Sequence, residues 1–94
     1  MEIDARIVDE LMPDLVGHDR HPSAFIVYLH LVRRIRGAGP ALHRMSLSTI
    51  AEGTGLSKRT VQNAISRLKK RKLIVVQHGG PSAAPRYVLA GEYG

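Results

Sequence analysis

Apolar side chains recur every three to four residues over most of the chain, a spacing that predicts helices. The first such segment has apolar residues at an i, i+4 spacing and acidic residues on the remaining face. Its apolar stripe consists of Ile3, Ile7, Val8, Leu11 and Leu15. The pattern predicts an amphipathic N-terminal helix within residues 1–17, with a last turn weakened by Pro13. The stripe can pack on the core of its own chain or against a second copy, and we favour the first.

A more apolar helix is predicted from Ser23 to Arg36, after a loop at residues 17–21. Pro22 suits the first helical position, because its φ is already helical and its missing N–H is not needed there. Apolar residues nearly surround this helix: Phe25, Ile26, Tyr28, Leu29, Leu31, Val32 and Ile35. We therefore expect it to be the central, most buried element. The glycine- and proline-containing segment 37–40 is expected to end it.

A short helix is predicted next, capped by Ser46 or Ser48 and running to about Gly53. Its inward-facing residues are predicted to be Leu47, Ile50 and Ala51. A tight turn at residues 54–56 follows, and Gly55 can adopt the left-handed conformation that such a turn requires.

Ser57 is a favourable N-cap for a further helix, predicted from Lys58 to about Lys72. One narrow face of this helix is apolar, with Val61, Ala64, Ile65 and Leu68 at i, i+3, i+4 and i+7. The β-branched segment 73–76 and the segment 86–89 then predict a two-stranded hairpin. Its tip, residues 78–85, is rich in glycine and proline.

The order of helix, glycine-containing turn, helix and hairpin resembles a winged helix-turn-helix protein. Within residues 47–61, the positions that match the family's spacing are Ala51, Gly55, Leu56, Ser57 and Val61. The resemblance continues through Ala64, Ile65, Leu68, Leu73 and Ile74 and spans roughly residues 22–90. The chain is similar to short bacterial regulators and to the helix-turn-helix modules of phage and plasmid replication initiators. It departs from the family at Lys72, where glycine is usual, so we expect the helix to end differently or to run slightly longer.

The resemblance implies a mainly α fold with a short antiparallel β-hairpin, a winged helix-turn-helix with an extra N-terminal helix. The 94 residues suit one compact domain. We expect this domain, residues 1–94, to consist of the N-terminal amphipathic helix at 1–17 and a winged-helix core at 22–90.

The charges are unevenly distributed along the chain. Six of its eight acidic residues precede residue 20, whereas residues 33–72 hold eleven Lys or Arg and one acidic residue, Glu52. Such a concentration of positive charge favours a polyanionic partner such as nucleic acid. A solvated basic surface gives the same pattern, so the charge does not decide the function by itself.

The polar face of the helix after Ser57 carries side chains suited to DNA. At about 100° per residue, the side opposite the apolar face holds Arg59, Asn63, Ser66 and Lys70, flanked by Gln62 and Arg67. Arginine can pair with guanine, and asparagine or glutamine with adenine, in the major groove. The start of the helix is placed for phosphate contact. Arg86 lies beside the hairpin tip, which is either a DNA-contacting loop or an inert one. The candidate DNA-binding residues are Ser57, Lys58, Arg59, Thr60, Gln62, Asn63, Ser66, Arg67, Lys70 and Arg86. The basic run 69–72 is equally compatible with phosphate contact and with a solvated helix end.

Other functional classes have less support. The chain has no cysteine for a disulfide or thiolate metal site, and no carboxylate cluster completes a site with His18 and His21. Neither a nucleophile turn nor a phosphate-binding glycine motif is present, so we expect neither catalysis nor a cofactor. The acidic N-terminus does not resemble a signal peptide, and no apolar segment is long enough to span a membrane. A cytoplasmic location is therefore expected.

We expect sequence-specific binding of duplex DNA by a transcriptional regulator or a replication or partition accessory factor, with a possible homodimer formed through the N-terminal helix. One alternative is a protein–protein interaction module on the same fold, whose acidic N-terminal helix docks a partner. The other is an RNA-binding winged helix, which the small number of aromatic residues disfavours because single-stranded bases are bound by stacking.

Overall fold

A computed structural model describes residues 3–37, 44–81 and 83–93. The N-terminal helix covers residues 5–18 and includes two π-helical segments, Ile7–Leu11 and Asp14–His18. The remaining elements are α1 (Pro22–Gly37), α2 (Leu47–Thr54), α3 (Lys58–Lys70), β1 (Ile74–Gln77) and β2 (Arg86–Leu89). The two strands form an antiparallel hairpin, which we call the wing. This architecture confirms the predicted winged helix-turn-helix fold. Within the described residues, none of the helices is both long enough and apolar enough to cross a membrane.

The N-terminal helix packs on the core of its own chain. Ile7, Leu11 and Leu15 are almost completely buried, which confirms the favoured alternative for these residues. A four-residue repeat is longer than an α-helical turn of about 3.6 residues. Turns closed by i→i+5 bonds hold more residues and keep the repeat on one side of the helix. The prediction was wrong for Val8, which is 41% exposed because it follows Ile7 directly and so points away from the buried side.

α1 is the central helix, as predicted. It packs against the N-terminal helix, α2, α3 and β2. Its buried residues are Ala24, Phe25, Val27, Tyr28, Leu31 and Val32. The prediction that apolar residues nearly surround this helix was wrong at Ile26, which is 42% exposed. Residues 38–40 of the segment expected to end α1 lie outside the described part of the chain.

The helix-turn-helix is fixed by two serine caps and one glycine. Ser46, not Ser48, caps α2, because the Ser46 Oγ accepts a hydrogen bond from the Thr49 N–H at 3.1 Å. Gly55 follows with φ of 79°, the left-handed conformation expected of it. Ser57 caps α3 in the same way, through the Thr60 N–H at 3.1 Å. Both caps satisfy N–H groups that have no acceptor inside their helix.

α3 ends at Lys70, earlier than predicted, and Lys72 itself adopts the left-handed conformation with φ of 58°. The Lys72 N–H donates to the Lys69 carbonyl and the Leu73 N–H to the Leu68 carbonyl, each at 3.0 Å. This pair of bonds is a Schellman motif, which usually has glycine at the left-handed position. The helix therefore does not run longer without the glycine. Leu73 is buried directly after the motif, so its packing holds Lys72 in this conformation.

The wing pairs Ile74 with Leu89 and Gln77 with Arg86. Val76 and Tyr87 face inward, toward α3, and Tyr87 is buried. A feature that the sequence did not predict is an antiparallel bridge between Arg44 and Arg86, supported by a hydrogen bond from the Met45 N–H to the Pro85 carbonyl at 3.1 Å. The segment before α2 thus pairs with β2 through a single bridge, outside the two strands of the wing.

Candidate nucleic-acid interface

α3 has one buried side and one exposed side. Val61, Ala64 and Leu68 are fully buried, and Ile65 is 8% exposed. The opposite side is open to solvent and holds Arg59, Asn63, Ser66 and Lys70. The α3 sequence contains no acidic residue, so this surface is uniformly neutral or basic. We call Arg59, Asn63, Ser66 and Lys70 the α3 face. The placement agrees with the helical geometry used for the prediction, although their role in DNA binding stays a prediction.

At the start of α3 the hydroxyls are already engaged. The Ser57 hydroxyl donates to the Thr60 Oγ1 at 2.9 Å while accepting from the Thr60 N–H. With the Thr60 N–H capped, the first-turn donors left for a phosphate are the backbone N–H groups of Lys58 and Arg59. Both residues have exposed side chains. The contribution of Ser57 and Thr60 is therefore to position this helix end, while the positive charge comes from Lys58 and Arg59.

A groove of about 500 Å³ separates α3 from the wing and the start of α2. Its apolar floor includes Ile65 and Tyr87, whereas Lys58, Gln62 and Lys69 form a polar rim on α3. The predicted residue Gln62 thus lies beside the groove, on the edge of the α3 face. Sequence analysis left Lys69 undecided, because the groove exists only where the folded wing lies beside α3.

Two arginines on the other flank of α3 are paired with acids from the N-terminal region. Arg71 donates to Asp14 and, at 2.7 Å, to the Asp19 Oδ1. Arg67 Nη1 lies 3.9 Å from the Asp19 Oδ2. This predicted DNA-binding residue therefore has an acidic partner within its own chain. The Asp19 side chain is 5% exposed. Sequence reasoning missed this cluster because its acidic and basic members are about 50 residues apart in the chain.

The electrostatics of this cluster favour its charged form. Burial by itself raises the pKa of Asp19, but hydrogen bonds from His18 and Arg71 outweigh it and hold the pKa below its usual value. Hydrogen bonds to Asp14 and Asp19 raise the pKa of Arg71. The ligand atoms of Asp14, His18 and Asp19 lie within 4.8 Å of one another. Arg71 donates to both carboxylates and Arg67 lies 3.9 Å from Asp19, so the cluster is explained as an ion-pair network.

Arg86 lies apart from the α3 face. Side chains alternate along a strand, so Arg86 and Gln77 point to the opposite side of the wing from Tyr87, which lines the groove. Arg86 is exposed there, next to Arg44. Sequence reasoning missed Arg44, because a bridge of one residue leaves no alternating pattern that could reveal it.

His21, which was weighed as a metal ligand, has a structural role. Its Nδ1 accepts a hydrogen bond from the Ala24 N–H at 3.2 Å, at the first turn of α1. Pro22 occupies the first position of that helix, as predicted.

Comparison with known proteins, like the fold, indicates a helix-turn-helix protein. A family model described as "Helix-turn-helix domain" matches residues 21–74, which include α1, α2 and α3. Neither a curated protein nor a solved structure gives a significant match. The family match covers more than half of the chain, and it ends where the first strand of the wing begins. The chain belongs to this helix-turn-helix domain family, whose fold is a DNA-binding one.

Proposed function

We propose that the chain binds duplex DNA sequence-specifically by placing α3 in the major groove. The observation that carries the proposal is the α3 face, which has two side chains suited to base edges, Arg59 and Asn63, on a helix without acidic residues. Ser66 and Gln62 supply further hydrogen-bonding groups beside them. Lys58 and Lys70 lie near the two ends of the helix and are assigned to backbone phosphates, contacts that position the protein without carrying sequence information.

The proposed biological role is that of a transcriptional regulator or of an accessory factor in replication or partition, acting in the cytoplasm. The chain is proposed to act by binding and not by catalysis, and to need no cofactor. Among the described side chains of the α3 face, none is arranged as a nucleophile with a neighbouring base, which is the arrangement that covalent catalysis requires.

The first experiment is selection of bound sequences from a random duplex library, followed by affinity measurements against salt concentration. Asn63→Ala is expected to relax specificity at one base pair and to cost about 1–3 kcal/mol. The matched variant Lys70→Ala is expected to weaken binding to all sequences alike. An unchanged consensus for Asn63→Ala would contradict the assigned reading face. Salt-sensitive binding without any consensus would reduce the function to nonspecific duplex association.

We also propose that the protein acts as a homodimer formed through the N-terminal helix. Val8, Met12 and Val16 lie four residues apart on this helix and are 38–41% exposed, next to the buried stripe. This apolar surface is the specific observation that also favours a second function, binding of another protein. Sedimentation of Met12→Asp distinguishes the homodimer from binding of another protein. Ile26→Asp is the matched control, because Ile26 is similarly exposed but lies on α1. A wild-type dimer that Met12→Asp converts to a monomer supports the homodimer, and a palindromic consensus is then expected.

A further inference from the structure

The groove between α3 and the wing has an apolar floor that belongs to the core of the domain. Tyr87 and Ile65 form this floor and are 2% and 8% exposed, so the core holds both in place. Leu47 and Val76 continue the apolar surface from α2 and β1, and both are only partly buried. The groove volume of about 500 Å³ lies within the range of about 300–1,000 Å³ that is usual for small-molecule sites.

The rim of the groove on α3 is basic at both ends. Lys58 and Lys69 are about three helical turns apart, so they lie on the same side of α3, the side that lines the groove. Both side chains are exposed, and within the described residues neither ammonium has a carboxylate at ion-pair distance. None of the described lining residues is acidic. The groove therefore combines apolar surface with positive charge that the described residues do not neutralise.

The groove also shares residues with the surface that α3 is proposed to present to DNA. Ser66 belongs to the α3 face and Gln62 lies on its edge, and both line the groove between the two lysines. Their exposed hydroxyl and amide groups can donate and accept hydrogen bonds. A molecule seated in the groove would therefore cover one side of the α3 face.

We propose that this groove binds a small aromatic carboxylate, and that the bound carboxylate competes with duplex DNA for α3. An aromatic ring has a large apolar area and few rotatable bonds, so it suits the apolar floor formed by Ile65 and Tyr87. The carboxylate pairs with Lys58 or Lys69 on the rim, where a charge-assisted hydrogen bond is available to it. The competition rests on the proposed function, whereas the ligand site does not.

The ligand site is tested with two fluorescent probes that share one aromatic body. Anilinonaphthalene sulfonate carries an anionic group, and phenylnaphthylamine is the same body without that group. The full chain is expected to bind the anionic probe more tightly, and naphthoate is expected to displace it. Joint substitution of Lys58→Ala and Lys69→Ala is expected to weaken the anionic probe about fivefold and to leave the affinity for the neutral probe unchanged.

Two further variants locate the probe on the protein. Lys70→Ala is the matched control for Lys69→Ala, because it removes the same charge from the next position of α3, which does not line the groove. Val76→Trp fills the groove and is expected to weaken both probes, at a strand position that tolerates aromatic residues. Equal affinities of the wild type for the two probes would overturn the anion assignment. Unchanged binding by Val76→Trp, or equal losses in Lys69→Ala and Lys70→Ala, would place the probe elsewhere and overturn the site.

The competition is tested by titrating the wild type with a selected duplex at constant ionic strength, with and without naphthoate. At ten times the dissociation constant of naphthoate, the apparent Kd of the duplex is expected to rise about tenfold, because only the free protein binds DNA. Simultaneous binding of naphthoate and duplex would overturn the competition. A wild type that binds no duplex would overturn the proposed function and the competition with it, whereas the probe titrations would still decide the ligand site.

Discussion

Asp19 accepts a hydrogen bond from Arg71 at 2.7 Å, and this contact joins residues 52 positions apart in the chain. Asp19 follows the N-terminal helix, whereas Arg71 caps the C-terminal end of α3. Asp14 binds the same guanidinium. The cluster therefore attaches the N-terminal helix to the proposed recognition helix. It also divides the basic residues at the end of α3 into two groups. Arg71 is paired with acidic residues, whereas Lys69 and Lys70 are exposed.

Asp19→Asn is expected to lower the free energy of unfolding by about 1–2 kcal/mol, because it weakens charge-assisted hydrogen bonds at a side chain that is 5% exposed. Urea unfolding followed by circular dichroism measures the change. Asp9→Asn is the control, since Asp9 is exposed on the same helix, and it is expected to stay within about 0.5 kcal/mol of the wild type. Equal stabilities of the two variants would show that the cluster does not stabilise the fold.

Gly53→Ala is expected to destabilise the protein by about 1 kcal/mol, although alanine normally favours a helix interior over glycine. The added Cβ would lie 2.3 Å from the His30 Cε1, which packs α1 against α2. In the background of His30→Ala the same substitution is expected to become neutral or stabilising, because the clash is removed. The thermal midpoints of the four proteins complete this double-mutant cycle. Additive effects of the two substitutions would contradict the contact.

The stability of the protein is expected to fall as the pH decreases below 6.5, partly because of His30. Burial, and secondly the charge of Arg34, lowers the pKa of His30 from its usual 6.5, and its Nε2 is buried without a hydrogen-bond partner. The unfolded chain therefore binds a proton at a higher pH than the folded chain does. As the pH decreases below 6.5, this proton binding favours unfolding. Urea midpoints of the wild type and His30→Leu between pH 7 and about 5 test this, as the variant removes the titrating group. The same decline in both proteins would exclude His30 as its source.

Lys72→Gly is expected to stabilise the protein by about 1 kcal/mol, because a side chain in the left-handed region carries a steric cost that glycine avoids. Lys72 has φ of 58° within the Schellman motif at the end of α3. Lys72→Ala is the matched control, since it removes the charge but keeps the Cβ, and little change is expected from it. A stabilisation by alanine equal to that by glycine would attribute the effect to charge and not to backbone conformation.

The features that sequence reasoning predicted correctly depend on residues close together in the chain. The cap at Ser57 involves an N–H group three residues away, and the left-handed Gly55 is required by the turn that contains it. The features that it missed depend on long-range packing. The bridge between Arg44 and Arg86 and the ion pair between Asp19 and Arg71 leave no local pattern. The sequence was thus sufficient for the fold and the α3 face, but not for the groove, the bridge between Arg44 and Arg86 or the ion-pair cluster.

Asp14→Asn is expected to strengthen duplex binding, as a consequence of the same cluster. Asp14 is partly exposed beside the C-terminal end of α3, where its negative charge opposes an approaching phosphate and competes for Arg71. Removing one exposed charge corresponds to about 0.5–1 kcal/mol at low salt, or about two- to fivefold in affinity. The gain is expected to be equal for specific and unrelated duplexes and to decrease with salt, because it comes from charge and not from base contacts. Asp9→Asn makes the same change in net charge on an exposed part of the N-terminal helix and serves as the control. An identical gain in both variants would attribute the effect to net charge, whereas a gain confined to Asp14→Asn places the end of α3 close to the DNA backbone.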